Sequence, residues 1–193
     1  MYRIGRWVLL QACSDLEALR LAHGDSLCLS VNVSSRQLDE PDFLNVLAEA
    51  LTQTQIDPRE LQLEITESIF LKDAERIGTI FNAIRQKGVS IGFDDFGTGY
   101  SSLRYLERYP IDTLKIDQSF VQNMSENATR ASIVKMIIQL AHEIGITVSA
   151  EGVETEEQAT LLRVCGCNLV QGYLYGRPVP LSEMVVQLRA AHA

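Results

Sequence analysis

Asp94 and Asp95 stand side by side after the apolar-rich run Val89-Ser90-Ile91-Gly92-Phe93, and are followed by Phe96-Gly97-Thr98-Gly99-Tyr100-Ser101-Ser102. Two carboxylates held this close repel each other, which favours either a shared proton or a bound cation. Gly97 and Gly99 permit positive φ and close approach of the backbone to a ligand, so with Thr98 between them they read as a loop beside a metal. Taken alone, an Asp-Asp pair fits a solvated turn better than a site. The other segments of the chain have to move that balance.

They do so by where their polar residues fall. Asn32, Glu64, Asp94, Lys115, Glu151 and Gln171 each lie at or just past the C-terminal end of a separate predicted strand. In a parallel barrel such ends share one mouth, where barrel folds keep their chemistry. Any one of these residues reads as a capped strand end or a surface charge; the set is hard to dismiss. Oxygen ligands from Asn32, Glu64, Asp94 and Asp95, with no histidine cluster, suit Mg2+, Mn2+ or Ca2+ better than Zn2+. His23, His142 and His192 fall on helices or in the tail and read as bystanders. A hard cation polarises a phosphoryl oxygen and lowers the pKa of bound water, and Lys115 adds a point charge for a phosphate or the attacking water. The reaction class these groups suggest is metal-assisted hydrolysis of a phosphate ester.

The elements that must position these residues follow from period and punctuation. Helical spacing from Ile4 to about Ala22 puts Trp7, Val8, Leu10, Leu16 and Leu19 mostly on one face, with Gly24 as a stop. Leu27 to Val33 alternates like a strand, and Pro41 opens a helix that closes near Thr54. Leu61 to Glu67 is a strand, Asp73 to Gln86 a helix ended by Gly88, and the strand before Asp94 comes next. A short helix over Ser101 to Arg108 precedes a strand over Thr113 to Asp117. Arg130 to Ile144 is a helix with Ile133, Ile137, Leu140 and Ala141 on one side. The strand Ile146 to Ala150, a helix from Thr155 to Val164 capped by Thr155, the strand Asn168 to Gln171 and a closing helix from Leu181 complete the chain. Six strands alternating with helices imply parallel β/α units, in either an open doubly wound sheet or a (β/α) barrel.

Composition narrows the class. With 193 residues, 46% hydrophobic, and a mean hydropathy of +0.03, the chain is expected to form one globular domain over residues 1–193. No apolar run is long enough to cross a bilayer and no signal-peptide pattern is present, so no membrane insertion and a cytoplasmic location are expected. Cys13, Cys28, Cys165 and Cys167 lack zinc-ligand spacing and read as reduced, mostly buried thiols. A net charge of −8 argues against a binder of duplex nucleic acid. An anionic substrate would need positive charge from elsewhere, and a divalent ion on clustered carboxylates would supply it. Neither a GxGxxG turn nor a P-loop lysine motif is present.

Asn32-Val33-Ser34, Glu64-Ile65-Thr66-Glu67, the Asp94 to Ser102 stretch, Leu114-Lys115-Ile116-Asp117, Ala150-Glu151-Gly152-Val153-Glu154 and Gln171-Gly172-Tyr173 resemble, in order, the signature segments of the EAL-domain family. The resemblance covers almost the whole chain. It implies a modified TIM barrel and a bacterial phosphodiesterase that opens cyclic di-GMP to linear pGpG with Mg2+ or Mn2+, one or two ions. It implies metal ligation by Asn32, Glu64 and Asp94, with Asp94 able to bridge two ions and Asp95 serving the second. Glu151 is implied as general base or metal-site carboxylate, and Lys115 as the group orienting the attacking water. Glu154 and Gln171 are implied as site support, and Glu67 as the residue that holds the glycine-rich loop of Gly97, Thr98 and Gly99. That loop, in the family, couples the site to the dimer interface.

The chain departs from the family pattern in one large respect. The early strand that carries the family's Glu-Ala-Leu segment, whose glutamate ligates metal and whose following arginine contacts substrate phosphate, has no counterpart among the predicted strands. The sequence therefore reads as a truncated EAL domain, an incomplete TIM-type barrel of about six strands with the first two missing. Missing strands expose edges and apolar interior, so a homodimer or another partner is expected over the gap. Two functional expectations follow: hydrolysis of cyclic di-GMP, weak or absent in the isolated chain, or a non-catalytic cyclic di-GMP receptor or protein-interaction module.

Overall fold

The computed structural model describes residues 2–23, 27–67, 69, 74–97 and 103–191. In chain order the elements are α1 (Tyr2–His23), β1 (Leu29–Asn32), α2 (Ser35–Leu38), α3 (Phe43–Thr54), β2 (Leu61–Thr66), α4 (Ala74–Gln86), β3 (Ser90–Phe96) and α5 (Leu103–Arg108). They continue as β4 (Thr113–Ile116), α6 (Gln118–Val121), α7 (Ala128–Glu143), β5 (Thr147–Ala150), α8 (Glu156–Cys165), β6 (Leu169–Val170) and α9 (Leu181–Ala191). Among the described residues there are six strands alternating with helices, as the sequence pattern predicts, in the incomplete (β/α) barrel plan that the family resemblance implies. The chain divides into two compact units, Met1–Ile91 with Pro178–Ala193, and Gly92–Arg177.

In the first unit β1 and β2 pair in parallel, Leu29 opposite Leu61 and Asn32 opposite Glu64. Along β2 the apolar Leu61, Leu63 and Ile65 alternate with Gln62 and Glu64, and every one of these side chains is buried. Both faces of the strand are thus covered, as in a barrel wall, and the polar face is the one that ends in Glu64. Helix α1 buries Leu9, Cys13 and Leu16, one helical stripe, and packs on α3, β1 and α9. Arg6 on α1 forks onto both carboxylate oxygens of Glu49 on α3 at 2.8 and 2.7 Å. Trp7, expected on the inner face, is instead 62% exposed. The helix has apolar residues on two arcs, and contact with its neighbours chose the arc that holds Leu9 and Leu16.

The second unit contains β3 from Gly92 onward, with β4, β5 and β6, all parallel. Helix α7, capped by the Asn127 side chain at Thr129 N and Arg130 N, packs on β5, α6 and α8. Its buried stripe is Val134, Ile138 and Ala141; of the face expected from sequence only Ala141 is buried, while Ile133 and Leu140 lie outward. The cause is the same as in α1, an excess of apolar residues around the helix. Helix α8 has the expected cap, Thr155, which forms a reciprocal capping box with Gln158, and Gly166 closes the helix at φ 88°.

Two short helices were not anticipated. Helix α2 has its own capping box from Ser34 and Gln37, and α6 is capped by Asp117. The final strand is shorter than expected, Leu169–Val170 rather than Asn168 to Gln171. The cysteines are unpaired, but the expectation that most are buried holds only for Cys13; Cys28 is exposed and Cys165 and Cys167 are half-buried. Gly24, Asp73 and His192 lie outside the described residues.

Candidate metal centre

The sheet register creates the site. Phe93 of β3 pairs with Leu114 of β4 and Phe96 pairs with Ile116, so Asp94 and Asp95 together face a single residue, Lys115. This is a β-bulge, the extra residue re-aiming a side chain that regular pairing would send to the opposite face. The carboxylate pair therefore sits within the strand rather than past its end. Asp95 takes φ 57°, a conformation aspartate tolerates better than most residues, and its N–H donates to Asp94 Oδ1 at 3.0 Å.

Lys115 pairs with Ser149 in the β4–β5 register, and Glu151 lies two residues beyond Ser149. The strand period thus sends Lys115 and Glu151 to the same side. Lys115 Nζ is 2.5 Å from Glu151 Oε1 and 3.3 Å from Asp94 Oδ1, with the lysine side chain only 6% exposed. Ligand oxygens of Asp94, Asp95 and Glu151 all lie within 4.8 Å of one another. Burial, then the negative charges of Asp94 and Asp117, raise the Asp95 pKa, with Lys115 opposing them. A cation beside these groups would reverse that shift by stabilising the ionised carboxylate. An all-oxygen donor set fits Mg2+, Mn2+ or Ca2+.

The loop after β5 is held by the segment after β6. Gln171 N donates to Ala150 O at 2.8 Å, Val153 N to Gln171 O at 3.0 Å and Leu174 N to Val153 O at 3.1 Å. Gly172 comes so near that a Cβ there would lie 2.1 Å from Val153 O. Gln171 itself is exposed, as is Glu154, whose N–H donates to Gln158 Oε1 at 2.8 Å. These two residues are placed to fasten the loop that carries Glu151 through their backbone.

In the first unit Asn32, the last residue of β1, is the cross-strand partner of Glu64, two residues before the end of β2, with Glu64 buried and Asn32 exposed. Glu67 follows β2 and is half-buried. Gly97 ends the described part of the glycine-rich loop at φ 99°; Thr98 and Gly99 lie outside the described residues. Sequence reasoning missed Asp117, which caps α6 and raises the Asp95 pKa. Its position immediately after a strand ending in Lys115-Ile116 was the available signal.

The EAL domain family model matches residues 1–178. The chain is 40% identical over 184 residues to cyclic di-GMP phosphodiesterase NbdA of Pseudomonas aeruginosa, covering 95% of this chain and 24% of that protein. It thus spans about a quarter of the length of this curated relative. Among solved structures it is similar to the EAL domain of Mycobacterium smegmatis DcpA, with a TM-score of 0.91, 40% identity, and coverage of 96% of this chain and 84% of that one. It is also similar to the manganese and cyclic di-GMP complex of Klebsiella pneumoniae BlrP1, with a TM-score of 0.79, 30% identity, and coverage of 92% and 45%.

Proposed function

Because the chain belongs to the EAL-domain family, we propose that it is a metal-dependent phosphodiesterase that opens cyclic di-GMP to linear pGpG. The observation that carries this reading is the bulge that sets Asp94 and Asp95 against Lys115, with Glu151 closing the group. Asp94 and Asp95 hold Mg2+ or Mn2+, and the family resemblance adds Asn32 and Glu64 as ligands. The metal supplies a Lewis acid for a phosphoryl oxygen and a more acidic water. Glu151 serves as general base or as a further metal-site carboxylate. Lys115 pairs with Glu151 and orients it, and offers its remaining N–H donors to the attacking water or to phosphate. Glu67 supports the loop of Gly97, Thr98 and Gly99, and Glu154 and Gln171 support the loop of Glu151.

The test is product formation by the purified chain from cyclic di-GMP with Mn2+ or Mg2+, read by chromatography. Linear pGpG is expected, falling by about 100-fold or more in Glu151→Gln. Binding of cyclic di-GMP without product would make the chain a receptor, and neither binding nor product would sink both readings.

A further inference from the structure

Two glycines border the acidic cluster, and both are pressed by the same short helix. A Cβ on Gly97 would lie 2.5 Å from Phe120 Cε2 and 2.7 Å from its Cζ. A Cβ on Gly152 would lie 2.4 Å from Gln118 Cβ and 3.2 Å from its Cα. Both glycines have positive φ, 99° and 67°. Gly97 is two residues after Asp95, and Gly152 immediately follows Glu151. Helix α6 therefore fills the space against the backbone turns that leave the two strands bearing the carboxylates.

The helix is itself pinned at both ends. The Asp117 side chain accepts from Ser119 N at 3.0 Å. Arg130 on α7 donates to the carbonyl oxygens of Ser119 and Gln122, the latter at 3.2 Å. A four-residue helix has little stability of its own, so these anchors are what keep it in one place.

We propose that α6 is a positioning wedge for the metal centre: Phe120 against Gly97 and Gln118 against Gly152 fix the turns that aim Asp95 and Glu151. Phe120 acts through the backbone of the Gly97 turn, and Gln118 through that of the Gly152 turn. The inference deepens the phosphodiesterase reading but has a readout that does not depend on turnover.

The experiment compares the full chain with Phe120→Ala and Phe120→Met, metal-free, by amide hydrogen exchange, and then by Mn2+ titration without substrate. In Phe120→Ala, exchange is expected to rise about tenfold or more in peptides over 94–97 and to stay unchanged in α7 and α8. Mn2+ affinity is expected to fall about tenfold, the scale seen when the groups orienting a metal ligand are lost. Phe120→Met, which refills the space, should recover both. Uniform acceleration across the second unit, or no change at the Gly97 turn in a folded variant, overturns the proposal. If Phe120→Ala does not fold, Arg130→Ala, which releases α6 from α7, should give the same local pattern, and its failure to do so counts equally against it. A parent chain that binds Mn2+ without hydrolysing cyclic di-GMP ends the catalytic reading and leaves this one standing. In a chain that binds no Mn2+, the exchange pattern alone decides.

Discussion

Lys115 and Glu151 meet at 2.5 Å, and the same ammonium reaches Asp94 at 3.3 Å. One lysine on β4 thus faces the three carboxylates that converge from β3 and the end of β5. The ammonium opposes the mutual repulsion of these carboxylates, which burial strengthens by weakening the screening that water would provide. With it, two strands are tied across a polar centre. The remaining negative charge is what a divalent cation would neutralise.

Replacing that ammonium is therefore expected to cost more in the metal-free chain than in the loaded one. Lys115→Met should lower metal-free stability by about 3–5 kcal/mol, the range for breaking a buried ion pair on one side. Saturating Mn2+ should stabilise the variant more than it stabilises the parent, because the metal takes over part of the lost counter-charge. Urea denaturation with and without Mn2+ measures the difference. Equal Mn2+ stabilisation in both proteins would separate the metal site from Lys115.

Gly172→Ala should disturb the Glu151 loop through backbone alone. The new Cβ would lie 2.1 Å from Val153 O and 2.3 Å from Val153 N, neither of which can rotate away. The expected loss is about 1–3 kcal/mol, as for other overpacked sites, with cyclic di-GMP turnover falling further than the loss of folded protein explains. Gly176→Ala is the control, because a Cβ there meets nothing within 4 Å. Thermal melts and rates on the two variants should diverge, and matching behaviour would mean that the loop contact does not matter.

Alkaline stability should carry the mark of Cys13. Burial raises its thiol from the ordinary value of 9.0 to about 11. Between those values the folded chain keeps a proton that the unfolded chain has lost, so stability falls as pH rises, by about 1.4 kcal/mol per pH unit at full effect. Cys13→Ala should be less stable at neutral pH, from the cavity, yet show a shallower decline above pH 9. Urea midpoints across the alkaline range give both slopes, and identical slopes would remove Cys13 as the cause.

Part of the cluster that the structure brings together was legible in the sequence. Asp94, Lys115 and Glu151 stand out because each falls toward or just past the C-terminal end of a strand, and that signal is local. So was the N-terminal cap of α8, since Thr155 acts on a backbone group only a few residues away. The Ser34 and Gln37 capping box of α2 is equally local. By contrast, the inner faces of α1 and α7 were misread at Trp7 and Ile133, because both helices are apolar on more than one arc.

What tertiary structure alone decided is the placement of groups from different strands. The sequence by itself determined that acidic and polar residues would end a series of parallel strands, and so which chemistry was available. It did not reveal that Asp94 and Asp95 share one partner, Lys115, because a bulge is a property of the register between β3 and β4. Nor did it show that Gly97, Gly152 and Gly172 are occupied by neighbours rather than merely bent. Hydrophobic period and capping depend on residues close in the chain, whereas register and close approach depend on which distant surfaces pack, and no local pattern encodes that choice.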